Sequence, residues 1–289
     1  MTYTDTHHNI RSLRAAARGG ANVADEMRRL MPRDRWLIDL LGQHRVFTTE
    51  QITTLAFTNL HTARNRLVLL NSRGILARFR NAVRPGSQQW RWTLDLLGEV
   101  YLASRAGQGP PQFTTIRTKI NKLAASPQLD HRLAVNDLFV ELIGHARTTP
   151  DAALSAWWSA KDCTKLTGDL IRPDGYGDWT EEGQRITFWF EQDQGTEKTH
   201  RVIAKLGGYQ AFLRATSRRD AILFRLCSPR AEKSFQARLA EHPAIVEQRL
   251  LVATTSGDAH PAAAIWQPAA TTRRVRLAQL ADLAEHVGG

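Results

Sequence analysis

The period of the apolar residues changes at Gly74, and this change limits the folds open to the N-terminal part of the chain. Between Asp34 and Gly74 the apolar residues recur at helical spacing in three runs, DRWLIDLLGQHR, TTEQITTLAF and HTARNRLVLLNSRG. After Gly74 the segment ILARFRNAVRPGSQQWRWTL alternates around the turn sequence RPGS, which indicates a hairpin. Three helices, a hairpin and a closing helix, TLDLLGEVYLASR, are the order of a winged helix-turn-helix, which we predict over residues 33–106.

Positive charge is confined to the same part of the chain. The net charge is +11, with a sequence pI near 10.3. Residues 1–123 contain 19 Lys and Arg against 8 Asp and Glu, whereas residues 124–289 contain 20 of each kind. A localised excess of cations is typical of proteins that bind nucleic-acid phosphates, so we expect double-stranded DNA as the partner of the first domain. Residues 1–32 lack strong apolar periodicity and are predicted to form a flexible basic arm.

The helix that begins at His61 is the candidate recognition helix, because the second helix of a helix-turn-helix enters the major groove. If Ala63, Leu67 and Leu70 face the core, its polar side chains point outward, and arginine and asparagine can each bond a base edge bidentately. Hairpin cations would meet phosphates, while Trp90 and Trp92 are interpreted as hairpin packing. The predicted DNA-binding residues are His61, Arg64, Asn65, Arg66, Arg73, Arg78, Arg80 and Arg84. The alternative is a solvated basic face.

The remaining sequence predicts a linker and a second domain. AGQGPPQ breaks structure, and residues 107–127 are interpreted as a linker or dimerising segment of a homodimer. Residues 128–289 mix helical and strand patterns, which favours an α/β domain with a mixed sheet. No apolar run approaches the roughly 20 residues that cross a bilayer, and the N-terminus has no secretory signal, so we expect a cytoplasmic protein without a membrane segment. The two cysteines have no zinc or disulfide spacing.

Two carboxylates of the second half have the spacing of a metal-dependent phosphodiesterase. Asp174 follows Pro173, and Glu191 ends the apolar run RITFWFE, so adjacent strands could bring the two together. Mg²⁺ or Mn²⁺ held by such carboxylates can activate water for attack on phosphate. Glu141, or Asp137 one turn earlier, could add a third carboxylate from the preceding helix. The alternative is an acidic strand end that is merely solvated.

This order resembles the PD-(D/E)XK nuclease pattern, which implies a restriction-endonuclease-like domain. The pattern requires a lysine two residues after the glutamate, and the sequence departs from it there, because that position is Asp193. Lys198 or Lys205 of the following helix could supply the missing charge. We therefore expect Asp174, Glu191 and Asp193 to converge on one metal near Lys205.

A second resemblance covers about residues 33–230. The segments HRLAVNDLFVEL, RPDGYGDW and FWFEQDQGTEKTHRVIAKLGGY, together with the predicted winged helix, are similar to the replication-relaxation family of plasmid and mobile-element proteins. The most specific positions are Glu191, Asp193, Gly195, Thr196, Glu197, Lys205 and Tyr209. The resemblance implies a role in replication, DNA relaxation or conjugative transfer, with other transfer or replication proteins as possible partners.

The sequence leaves the activity of the second domain open. A relaxase that uses a histidine-held metal needs a histidine cluster, but His131, His145 and His200 are scattered. The carboxylates are the assembled candidate for a metal-dependent nickase or endonuclease. The other alternative is a transcriptional regulator whose nuclease-like domain has no catalytic activity.

Overall fold

The chain folds into two compact units, residues 1–136 and 137–289, and its mixture of helices and sheets confirms the predicted α/β class. The structure is a computed structural model that describes residues 2–4, 20–81, 88–195, 199–247 and 249–287. Within these ranges no helix combines the length and apolar character needed to cross a membrane.

The first unit contains short helices around a small antiparallel sheet. The sheet order is β1 (Thr2–Thr4), β3 (Leu76–Asn81), β4 (Arg91–Leu94) and β2 (Phe47–Thr48), and β3 pairs with β4 so that Arg78 lies opposite Trp92. The elements are β1 (Thr2–Thr4), α1 (Gly20–Arg28), α2 (Pro32–His44), β2 (Phe47–Thr48), α3 (Thr49–Ala56), α4 (Leu60–Ser72), β3 (Leu76–Asn81), β4 (Arg91–Leu94), α5 (Leu96–Arg105), α6 (Phe113–Ala124) and α7 (Leu129–Ala146), whose first half belongs to this unit.

Local signals fix the ends of α3 and α4. Thr48 caps α3, since its hydroxyl accepts the backbone N–H of Gln51 at 3.1 Å while the Gln51 side chain accepts the N–H of Thr48. Asn59 caps α4 by accepting the N–H of Thr62 at 2.9 Å. Gly74 follows α4 with φ 72°, in the left-handed region that favours glycine. Helices α3 and α4 therefore form close to where the sequence predicts them, and α4 begins at Leu60, one residue before the predicted His61.

The predicted arm and linker differ from the structure. Within residues 1–32, β1 pairs antiparallel with β3 and α1 forms over Gly20–Arg28. The predicted linker, residues 107–127, contains α6, whose Ile116, Ile120 and Leu123 are buried in the core of the first unit. Their spacing puts them on one helical face, which the neighbouring Gly and Pro residues obscured. The boundary between the units falls within α7 rather than at residue 128.

The second unit is built on a six-stranded mixed sheet. Its strands lie side by side in the order β10 (Gln267–Pro268), β9 (Val252–Ser256), β8 (Ala221–Leu226), β7 (Gln184–Gln192), β6 (Gly175–Glu181) and β5 (Ala153–Ser159). Strands β5, β6 and β7 are antiparallel neighbours, whereas β7, β8 and β9 are parallel and are joined by helical crossovers. The elements are the second half of α7, β5 (Ala153–Ser159), α8 (Ala160–Leu166), β6 (Gly175–Glu181), β7 (Gln184–Gln192), α9 (Thr199–Thr216), β8 (Ala221–Leu226), α10 (Pro229–Ala240), α11 (Pro243–Val246), β9 (Val252–Ser256), β10 (Gln267–Pro268) and α12 (Leu280–Ala284).

Helices cover both faces of this sheet. Phe139 of α7 lies with its ring centroid 6.0 Å from those of Phe188 and Phe190 on β7. Trp189 lies between them in sequence, and its ring centroid is 5.6 Å from that of Phe212 on α9. Successive strand residues point to opposite faces, so α7 and α9 pack on opposite sides of β7. This arrangement decides which helix each polar side chain of the strand meets.

Candidate functional site

Helix α4 presents the polar face that the sequence predicts. Ala63, Leu67 and Leu70 are fully buried, and His61, Arg64, Asn65 and Val68 are exposed on the remaining surface. His61 Nε2 lies 3.0 Å from Asn65 Nδ2 across one helical turn. The turn between α3 and α4 is Phe57–Asn59, a three-residue connection of the length found in helix-turn-helix motifs. That the exposed side chains of α4 bind DNA stays a prediction.

Two predicted DNA-binding arginines have carboxylate partners inside the first unit. The Arg66 guanidinium forms a bidentate pair with Asp34, in which Nε lies 3.0 Å from Oδ1. Asp34 is only 1% exposed, and a paired cation offsets the cost of burying its charge. This hydrogen bond also raises the pKa of Arg66. Arg73 Nε lies 3.6 Å from Glu26 Oε2. Both arginines hold the fold together in this structure rather than extending freely from α4.

The hairpin arginines flank an indole ring. The guanidinium carbons of Arg78 and Arg80 each lie 4.2 Å from the centroid of the Trp90 ring, a cation–π geometry. Trp92 is buried, and its indole N–H donates to Thr49 Oγ1 at 2.9 Å, so it packs the hairpin as predicted. The turn that contains Arg84 lies outside the described residues.

The charge asymmetry follows the boundary between the units. Residues 1–136 contain 20 Lys and Arg and 9 Asp and Glu, whereas residues 137–289 contain 19 of each. The whole net charge of +11 therefore belongs to the first unit. Such an excess attracts polyanions and raises their rate of association.

In the second unit, Glu191 is the centre of a buried polar group. It is 4% exposed at the end of β7, on the sheet face that α9 covers. Tyr209 donates its hydroxyl to Glu191 Oε1 at 2.6 Å, and Lys205 donates from Nζ to Oε2 at 2.9 Å. Burial, together with the nearby Asp174, raises the pKa of Glu191 to about 7 against the attraction of Lys205. The sequence offered Lys198 or Lys205 as the cation near Glu191, and Lys205 makes this contact, while the contact of Tyr209 emerged only from the fold.

Asp174 and Asp193 bind different backbone groups. Asp174 precedes β6, and its Oδ2 accepts the N–H of Gln192 at 2.9 Å. Asp193 follows the end of β7, and its Oδ1 accepts the N–H of Gly195 at 2.8 Å. Within the described ranges no group of three or more His, Cys, Asp or Glu side chains could hold a metal ion. The expected convergence of three carboxylates is therefore not found, since Asp193 lies beyond the end of β7 and its carboxylate bonds within its own loop.

Glu141 does not join the Glu191 group. Its Oε2 lies 4.0 Å from an Arg225 nitrogen, and Arg225 is on the face of β8 opposite to Ile222 and Phe224, which pack with α9. Burial raises the pKa of Glu141 and lowers that of Arg225. The prediction of Glu141 as a third ligand is wrong because α7 covers the other face of the sheet. Lys198, the other candidate cation, lies outside the described residues.

The donor set that remains for a divalent cation is Asp174 with Glu191. Mg²⁺ in proteins is commonly held by one or two carboxylates together with water and substrate phosphate, so two carboxylates fit its chemistry. Both Glu191 oxygens are already bonded, to Tyr209 and Lys205. A cation would have to share or displace these bonds.

Comparison with known proteins places the chain in a family. The sequence model of the family described as replication-relaxation matches residues 38–224, which is more than half of the chain. Neither the curated proteins nor the solved structures contain a match. The match includes α4, the hairpin and the Glu191 group, and the chain therefore belongs to the replication-relaxation family.

Proposed function

We propose that this protein binds duplex DNA of a plasmid or integrative mobile element and acts in its replication, relaxation or conjugative transfer. Family membership suggests the process. Action on such DNA would place the protein in the cytoplasm, in contact with other replication or transfer proteins. The observation that carries DNA binding is the exposed face of α4, with His61, Arg64 and Asn65, in a unit that holds the entire net charge.

The geometry supports a winged helix in which α4 enters the major groove. Helices α3 and α4 form the helical pair, and β3 with β4 forms the wing. Arg64 and Asn65 lie in the N-terminal half of α4, where recognition helices contact base edges. Arg78 and Arg80, ordered against Trp90, would contact phosphate. Arg66 is not part of this readout, because Asp34 holds it.

The test uses the full chain and duplexes selected by it from a random library. Arg64→Ala and Asn65→Ala should each reduce the preference for the selected sequence by about 1–3 kcal/mol, because a bidentate base contact is lost. Arg238→Ala, which removes an exposed arginine of the second unit, is the matched control and should leave the preference unchanged. Equal preference in wild type and both α4 variants would refute the assignment of α4 as the reading helix.

A homodimer is part of the proposal, since winged helices that bind two half-sites commonly do so as symmetric pairs. Sedimentation of the free protein and of its complex should give two chains per selected duplex. A single chain on each duplex, with a site that lacks two-fold symmetry, would remove this part of the proposal.

A second candidate function is metal-dependent nicking of the bound DNA. The observation that favours it is Lys205 Nζ at 2.9 Å from Glu191, beside Asp174 and at the end of β7. A bound Mg²⁺ or Mn²⁺ would supply Lewis acidity and an activated water. Asp174 and Glu191 would hold the cation, and Lys205 would stabilise negative charge on the phosphate.

Nicking is tested on supercoiled plasmid that carries the selected site, with Mg²⁺ and with Mn²⁺. Asp174→Ala and Lys205→Ala should abolish nicking and leave duplex binding intact, whereas Lys233→Ala, an exposed lysine of α10, should do neither. Wild-type protein that binds the site but leaves it uncut with both metals would favour the alternative, a regulator whose second unit has no catalytic activity.

A further inference from the structure

The second unit contains a cavity of about 560 Å³ that none of the functions above uses. It lies where α9 ends and β8 begins. Strands β7 and β8 are parallel, and Glu191 is at the C-terminal end of β7. The cavity, at the N-terminal end of β8, is therefore at the opposite end of the strands from the Glu191 group. Its lining includes four arginines, Arg214, Arg218, Arg219 and Arg249, and the acid Asp220.

Four of these residues are arginines and one is an acid, although the second unit as a whole has no net charge. Arg218 is fixed in place: its Nε lies 2.6 Å from Asp220 Oδ2, and its Nη2 lies 2.7 Å from the Tyr176 hydroxyl. Asp220 is 4% exposed and also accepts the indole N–H of Trp189 at 3.0 Å. One wall of the cavity is therefore held rigid before any ligand arrives.

The charges of two other arginines are not neutralised by carboxylates. Arg219 donates from Nη1 to the backbone carbonyl of Glu285 at 3.2 Å, an uncharged acceptor. Arg214 is exposed in the last turn of α9, and no ion pair to it occurs within the part of the chain that the structure describes. Arg249 pairs with Glu247, but both side chains are more than 40% exposed. Ion pairs this exposed contribute little to stability. The cavity therefore has a positive rim.

Three leucines also line the cavity: Leu213, Leu250 and Leu251, each 4–7% exposed. A guanidinium binds phosphate oxygens bidentately, and leucine side chains can pack against a flat ring. The volume falls within the range of small-molecule sites.

We propose that this cavity binds a nucleotide, with its phosphate on Arg214 and Arg219 and its base against the leucines. The nucleotide is either free or part of a DNA strand, and both sources share this chemistry. The site is separate from α4, so it does not depend on sequence reading by the first unit.

The experiment compares the full chain with the double variant Arg214→Glu/Arg219→Glu. The matched control is Arg230→Glu/Lys233→Glu, which makes the same charge change at exposed positions of α10 outside the cavity. Calorimetry with ADP in metal-free buffer measures the free nucleotide. Titration of a duplex at several salt concentrations measures the strand. Thermal unfolding confirms that the variants fold, and Arg214→Ala/Arg219→Ala replaces the double reversal if they do not.

A free nucleotide is the ligand if ADP binds to wild type and to the control but at least about tenfold more weakly to the cavity variant. A strand is the ligand if ADP does not bind and duplex binding by the cavity variant alone depends less on salt. The slope of log K against log salt should then become less steep by about 2, because two phosphate contacts are lost. If the cavity variant and the control behave alike with both probes, the cavity does not bind nucleotides. If the chain binds no duplex, the ADP measurement alone decides.

Discussion

Replacement of Glu191 by Gln tests whether the buried carboxyl is protonated or ionised near neutral pH. The pKa of Glu191 is raised from its ordinary value of 4.5 to about 7 in the fold, with burial as the main cause. Between these two values the folded state therefore binds more protons than the unfolded state. Stability due to this group is present at low pH and is lost as the pH rises from about 4.5 through about 7.

The size of the effect follows from the shift, because one pKa unit corresponds to about 1.4 kcal/mol. Between pH 5 and pH 8 the free energy of unfolding of wild type should fall by about 2–3 kcal/mol relative to that of Glu191→Gln, which cannot titrate. Urea unfolding of both proteins in metal-free buffer across this range measures the difference. Taking the difference between the two proteins removes the contribution of titrating groups that do not interact with Glu191.

Glu182→Gln is the control for the sign. The hydrogen bond of Arg276 lowers the pKa of the exposed Glu182, so wild type should gain stability over that variant as the pH rises through the acidic range. If wild type instead gains on Glu191→Gln as the pH rises, the attraction of Lys205 outweighs burial and the pKa of Glu191 is lowered. That result would refute the reasoning about this group.

Three further perturbations separate structural from functional roles. Arg66→Ala should lower the free energy of unfolding in urea by about 3–5 kcal/mol, because the buried Asp34 carboxylate loses its cation. Arg64→Ala should change it by less than about 0.5 kcal/mol. Similar values for the two variants would contradict the division of α4 into two faces. Ile120→Ala should cost about 2–4 kcal/mol, since the side chain is 3% exposed in the core of the first unit, and a change near zero would restore the linker interpretation of residues 107–127. Duplex affinity should fall steeply with salt, and a flat dependence would remove phosphate contacts by the first unit from the proposal.

Local sequence determined the elements of the first unit. The stripe Ala63, Leu67 and Leu70 fixes the buried face of α4, Asn59 fixes its start, and Gly74 its end. Each of these signals acts over a few residues, so no knowledge of distant contacts is needed. The concentration of charge in this unit is likewise a property of the sequence alone, and so is the placement of Glu191 at the end of an apolar strand.

Only the tertiary structure decided which partner each polar side chain meets. Asp34 and Arg66 are 32 positions apart in sequence, and nothing local marks them as a pair. Glu141 and Glu191 look equivalent as acidic residues beside apolar runs, but helices α7 and α9 pack on opposite faces of β7 and keep them apart. The cavity takes its arginines from two segments that meet only when β8 and β9 pair. Burial and charge pairing depend on the neighbours that folding brings together, and apolar periodicity does not encode those neighbours.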